Sequence, residues 1–163
     1  MIKNLIIPIL FFIPLALLQL TVIPFISYQN ISPDLLIILV VYFTLLRGQL
    51  FGTILGFIVG ILFDLASGGL LGSTAFAYTL SAFITGYFYN EKKITPNLTS
   101  LNFSLIVLLA ATLAIFLISV LTLTRTNLSI VYLVFNGGVI PGFYTAFLSI
   151  FLLVFKPKRR IEE

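Results

Sequence analysis

The chain has 163 residues, of which 60% are apolar and 9% charged, against about 25% charged in an ordinary soluble domain. It contains 17 Phe but no Trp, His or Cys, which excludes disulfides, thiol nucleophiles, Ser-His-Asp triads and ordinary zinc sites. A soluble domain of this size could not hide so much apolar surface, so the composition defines an integral membrane protein. Its five acidic residues leave little for carboxylate catalysis, and its net charge of +4 is read by asking which loops carry the cations.

A helical crossing needs about 20 apolar residues. Residues 5–26 supply the first. This run is longer than a signal-peptide core and lacks a small-x-small cleavage site, so it is read as retained. Pro8, Pro14 and Pro24 bend it, with Pro24 near its exit. Residues 31–66 are too long for one straight span and are broken by Arg47-Gly48-Gln49. The halves, 31–46 and 49–66, are each slightly short for a crossing at ~1.5 Å per residue. Ser32-Pro33-Asp34 reads as a helix start, with Ser32 as N-cap, Pro33 at the first helical position and Asp34 in the first turn. Residues 70–89, 101–123 and 130–155 complete six spans.

Charge selects this count. With the N-terminus inside, the inner side carries Lys3, Arg47, Lys92, Lys93, Lys156, Lys158, Arg159 and Arg160, and the outer side Arg125. That distribution follows the positive-inside rule. One bent helix over 31–66 would leave Arg47 within the hydrocarbon, at a cost of at least ~2.5 kcal/mol. The expectation is therefore a single all-α transmembrane domain over residues 1–163, a six-helix bundle with both termini cytoplasmic. Residues 156–163 form a basic tail whose Lys156, Lys158, Arg159 and Arg160 sit at anionic headgroups; a protein-docking tail is the other reading. The outer loops, 27–33, 67–69 and 124–129, and the largest inner loop, 90–100, leave no room for a soluble domain.

Gly48, Gly52, Gly56 and Gly60 recur every four residues on one helix face. Such small residues let a second helix approach closely. The following helix has a row of Ser73, Ala77, Ser81 and Thr85, with Ala82 and Gly86 beside it. Two readings stay open: packing of these helices on each other, or a groove for a partner helix at Gly52, Gly56, Gly60 and Asp64. Asp64 continues the glycine row and is the acidic residue placed within a span, which makes it a functional candidate. It could instead bond the backbone of the Ser67-Gly68-Gly69 turn or cap the next helix. Arg47-Gly48 reads as an inner turn. Gln19, Asn102 and Asn136 are expected to find interhelical or backbone hydrogen bonds. Asn136-Gly137-Gly138 with Pro141-Gly142 marks a kink in the last helix; the sequons at Asn30, Asn97, Asn102 and Asn127 fall on both sides of the membrane.

The first half of the chain resembles the rod shape-determining protein MreD family. The resemblance begins at Leu18-Gln19-Leu20-Thr21-Val22-Ile23-Pro24 and continues through Pro33-Asp34-Leu35-Leu36 and Arg47-Gly48. Gly52, Gly56, Gly60, Asp64-Leu65 and Ser67-Gly68 follow, then Leu71-Gly72, Ala75 and Ala77-Tyr78, with Asn136 and Pro141 in the last span. It implies a six-helix fold similar to the substrate-binding components of energy-coupling-factor transporters. It also implies a non-enzymatic scaffold of the elongation machinery, without cofactor or metal. The implied partner is MreC, a single-span protein, and through it MreB filaments and the peptidoglycan polymerase–transpeptidase pair that build the lateral wall. Two other readings are weighed: a vitamin-type binding component of a transporter, and an enzyme or flippase acting on lipid-linked wall precursors. Such a binding component often docks through an Ala-xxx-Ala pattern on the first helix, where this chain has Ala16. It also needs convergent polar groups at the outer mouth, where Asn30, Asp34, Asp64, Arg125 and Asn127 are available. The enzyme reading rests on Asp64 without a second carboxylate.

Overall fold

A computed structural model describes residues 2–27, 31–90, 100–122 and 134–154. They form seven α-helices: α1 (Ile2–Thr21), α2 (Ile23–Ile26), α3 (Leu35–Arg47), α4 (Gln49–Ser67), α5 (Ser73–Thr85), α6 (Ser100–Thr122) and α7 (Ile140–Val154). A 3-10 turn, Gly86–Phe88, extends α5, and a π-helical segment, Phe135–Val139, leads into α7. No β-strand occurs among the described residues. The basic tail with Lys156, Lys158, Arg159 and Arg160 lies outside them, as do Lys92, Lys93 and Arg125.

Each stretch expected to span contains a helix, but the helices differ in length. α4 (Gln49–Ser67) and Leu101–Thr122 of α6 are long and apolar enough to cross a membrane. α3 and α5 have 13 residues each, or about 20 Å of rise. The first run is divided at Val22 into α1, with Pro8 and Pro14 inside it, and α2, with Pro24 in its first turn. Proline lacks the N–H that would continue the ladder, so the chain turns there. The kink expected near Asn136-Gly137-Gly138 is the π-helical segment, in which the backbone ladder loosens by one residue per turn.

α3 is the centre of the bundle. Ten of its 13 residues, from Leu35 to Leu45, are buried, and α1, α4, α5, α6 and α7 all pack against it. A helix that is apolar all round belongs in such an interior position. Around it the outward faces are apolar as well: Leu10, Phe25, Leu50, Leu101 and Phe147 are all exposed. Single apolar side chains on a surface are ordinary, but an apolar exterior on every helix is the surface of a protein solvated by hydrocarbon.

Glycines set the closest approaches. Gly48, with φ of +95°, ends α3 and starts α4 in one residue; side-chain-bearing residues rarely adopt that backbone. A Cβ on Gly56 would stand 2.7 Å from the Tyr78 carbonyl oxygen, one on Gly60 would meet the Ala75 backbone, and one on Gly52 would collide with Thr44 of α3. α4 and α5 therefore run antiparallel, with Gly60 level with Ala75, Gly56 level with Tyr78–Thr79 and Gln49 level with Gly86. A second glycine row pairs α7 with α6. A Cβ on Gly138 would come 3.2 Å from Phe116 Cβ, and one on Gly142 would come 3.2 Å from Thr112 Cα.

This packing gives a direct test. Gly60→Leu forces a side chain into the α5 backbone and should lower stability by about 1–3 kcal/mol or more. Gly69→Ala, in the open turn after α4, should change it by under ~0.5 kcal/mol. Thermal unfolding of the two purified variants in one detergent reads the difference.

Candidate functional site

The polar groups converge at one end of the bundle. α1 ends there, α3 begins, α4 ends and α5 begins. A helix start leaves its first N–H groups without intrahelical partners, and in hydrocarbon each such orphan costs several kcal/mol. Two aspartates meet that need in different ways.

Asp34 is the N-cap of α3. Its backbone is extended (φ −110°, ψ 102°), and its Oδ1 accepts from the N–H groups of Leu36 at 3.0 Å and Ile37 at 3.2 Å. The cap was expected two residues earlier, at Ser32, with Asp34 inside the first turn. The correction has a physical reason: capping at Asp34 places a carboxylate, the stronger acceptor, against the positive end of the helix. The Tyr78 hydroxyl donates to the same carboxylate, 2.7 Å from Oδ1 and 2.6 Å from Oδ2. The Asp34 N–H donates to Thr145 Oγ1 at 3.0 Å, while the Thr145 hydroxyl donates to the Pro141 carbonyl at 2.8 Å. Gln19 supplies the remaining partners. Its Nε2 donates to the Pro33 carbonyl at 3.0 Å, and its Oε1 accepts from the Leu35 N–H at 2.9 Å. The Pro33–Leu35 stretch thus joins α1, α3, α5 and α7, with Asp34 itself bonded to α5 and α7.

Asp64 caps α5 from a distance. Gly72, at the N-cap position with φ of +92°, has no side chain to offer. The Asp64 carboxylate, on the last turns of α4, accepts from the N–H groups of Gly72 at 2.8 Å, Thr74 at 3.2 Å and Ala75 at 3.4 Å. Of the readings offered for Asp64, capping of the next helix is the geometry observed. Gly68, left-handed at φ +67°, closes α4 by donating to the Asp64 carbonyl, so this one residue ends one helix and begins the next.

The remaining expected site residues are placed as follows. Gly52, Gly56 and Gly60 are buried, and their open faces are filled by Thr44 and α5 of the same chain. Of the two readings left open for this row, packing of the helices on each other is the geometry seen, because the glycines' missing side chains are what admit α5. Ser73, Ala77, Ser81 and Thr85 are all buried, but the α5 backbone nearest the glycines is at Thr74–Ala75 and Tyr78–Thr79. The Ser73 hydroxyl donates to the Leu70 carbonyl. Among the described residues, Ser81 Oγ is buried without a hydrogen-bond partner. Arg47 stands over the Phe51 ring, 5.3 Å from its centroid, at the opposite end of the bundle from the aspartates.

Tyr78 and Thr145 were not singled out as site residues. The resemblance contained Tyr78, but its partner Asp34 is 44 positions away in sequence. No helical or strand period connects residues that far apart. Each of the two aspartates accepts from three donors within the chain. No group of His, Cys, Asp and Glu suited to a metal occurs among the described residues.

All helical over the described residues, with an apolar exterior and its two buried aspartates spent on helix starts, the chain is built as a membrane-embedded bundle. The family model for rod shape-determining protein MreD matches residues 1–156, and the chain belongs to that family. The match extends the resemblance of residues 18–86 over nearly the whole sequence. The family is a membrane-associated, shape-determining one and not a known enzyme family. No curated protein and no solved structure matches the chain.

The double-cap arrangement makes an energetic claim. Tyr78→Phe removes a hydrogen bond to a buried carboxylate and should destabilise by about 1.5–3 kcal/mol. In a double-mutant cycle with Asp34→Asn, unfolding in detergent should show coupling between the two sites. Additive effects would mean that the pair is not an energetic unit.

Proposed function

We propose that this chain is a non-enzymatic scaffold of the rod elongation complex, crossing the inner membrane six times with both termini cytoplasmic. It holds an MreC-like single-span partner and, through it, connects MreB filaments with the polymerase–transpeptidase pair of lateral peptidoglycan synthesis. The observation that carries this reading is the MreD family match over residues 1–156, which supplies the role in rod shape. The architecture supports it: α3 and α5, with 13 residues each, are shorter than a single crossing and pack against the longer α4 and α6, as in a bundle that spans collectively. A fold similar to the binding components of energy-coupling-factor transporters belongs to the same reading.

The filled glycine row moves the partner contact. The MreC-like helix meets outward apolar faces of the bundle, because the Gly52–Gly60 face is occupied by Thr44 and α5. Association between helices in lipid proceeds by surface packing and does not need a charged groove.

A C-terminal tag, gentle solubilisation of native membranes and identification of co-purifying proteins test the reading. Recovery of a single-span protein with a large extracytoplasmic domain, with wall polymerases in lower amount, is the expected outcome. Recovery of an ATPase pair and a coupling subunit would make the chain a transporter component instead.

A further inference from the structure

Pro141 sits inside a continuous helical run, because the π-helical segment Phe135–Val139 leads without a break into α7. Proline has no N–H, and its ring crowds the carbonyl four residues back. In an α ladder that carbonyl belongs to Gly137. The observed ladder steps around the clash. The Ile140 N–H reaches five residues back, to the Phe135 carbonyl, so the helix takes up one extra residue just before the proline.

Residue 141 has no N–H to give the Gly137 carbonyl. Ser119 of α6 gives it a hydroxyl instead, at 3.0 Å. Glycine at this position is what lets Ser119 come so close: a Cβ on Gly137 would stand 2.8 Å from the Ser119 hydroxyl oxygen and 3.0 Å from its Cβ. The two sides of Pro141 are held differently. On the C-terminal side, the Pro141 carbonyl accepts from the Thr145 hydroxyl at 2.8 Å, and the Thr145 oxygen accepts from the Asp34 N–H at 3.0 Å. Thr145 and Ser149 are buried, so this part of α7 is tied to the start of the central helix. On the N-terminal side, the π segment packs on α6 and is held by the bond from Ser119, which is half-buried. Val134 and Phe135 are exposed there.

We propose that Phe135–Val139 is a latched hinge. Pro141 keeps the extra residue in the helix, and Ser119 is the latch that holds the Gly137 carbonyl. Loss of the latch frees Val134 and Phe135 to turn against α6, while Thr145 keeps the rest of α7 in place. Closing the segment to α-helix carries these two residues through one residue step, about 100° and about 1.5 Å. A side chain about 5–6 Å from the helix axis then moves by about 8 Å, which changes the face that this end of α7 presents on the apolar exterior. Ser119 is thus a positioning residue that acts on Phe135 through Gly137. The hinge depends neither on the number of spans nor on the scaffold reading.

The chain has no cysteine, so nitroxide labels can be placed on pairs of introduced cysteines without background. Phe57, Leu109, Phe135 and Phe147 are exposed and suit labelling. Phe135→Cys is paired in turn with Phe57→Cys and Leu109→Cys to follow the segment from two directions. Phe147→Cys paired with Phe57→Cys follows α7 beyond the hinge. Distances are read by pulsed electron paramagnetic resonance in lipid nanodiscs. Ser119→Ala should broaden the two Phe135 distributions and leave the Phe57–Phe147 distribution unchanged. Pro141→Ala restores an N–H for Gly137, so it should close the segment and shift a Phe135 distance by several ångströms, up to the ~8 Å of the residue step. In the Pro141→Ala chain, Ser119→Ala should have no further effect. Unchanged Phe135 distances in Ser119→Ala or in Pro141→Ala would overturn the latched hinge. So would equal broadening on both sides of Pro141, or further broadening by Ser119→Ala in the Pro141→Ala chain.

Discussion

A helix that begins inside an apolar bundle has N–H groups that no water can satisfy, and this constraint organises the molecule. Asp34 answers it for α3 as an ordinary N-cap. Asp64 answers it for α5 from the neighbouring helix, because Gly72 has no side chain to do so. Tyr78, one turn into α5, donates its hydroxyl back to Asp34 and so ties the two helix starts together. The glycine row of α4 is the complement of this arrangement: only with α5 at backbone contact can Asp64 reach the N–H groups of Thr74 and Ala75. The close approach and the remote cap are one design seen from two sides.

This arrangement bears on function by what it consumes. A ligand site needs convergent polar groups with unused hydrogen-bonding capacity. The carboxylates of Asp34 and Asp64 each accept from three donors of the chain itself, and the Gln19 amide bonds the backbone at Pro33 and Leu35. Among the described residues the outward faces of the bundle are apolar, which suits helix-to-helix association in lipid.

Much of this was legible in sequence where local spacing carries the information. The four-residue glycine row, the Arg47-Gly48 turn, the weakness around Asn136-Gly137-Gly138 and a backbone role for Asp64 all depend on residues within about ten positions of each other. The backbone hydrogen bonds expected of Gln19 are with Pro33 and Leu35, 14 and 16 residues away. The Asp34–Tyr78 bond and the Asp34–Thr145 bond span 44 and 111 positions, and no period announces them. The cap was placed at Ser32 because Ser-Pro is a common helix opening; tertiary demand moved it to Asp34, where Tyr78 could reach. The glycine row was legible but ambiguous, since a groove for a partner and a groove for the next helix read alike. The Gly138–Gly142 row was hidden by its second role as a kink.

Amide hydrogen exchange tests the central claim most directly, because the two carboxylates act on identifiable N–H groups. In lipid nanodiscs, the amides of Leu36, Ile37, Gly72, Thr74 and Ala75 should be protected although they open their helices, where first-turn amides ordinarily exchange fast. Asp64→Asn should selectively speed exchange at the α5 start, and Asp34→Asn at the α3 start. Rapid exchange of these five amides in the unaltered chain would contradict the account, since the helix starts would then be held by something other than the buried aspartates.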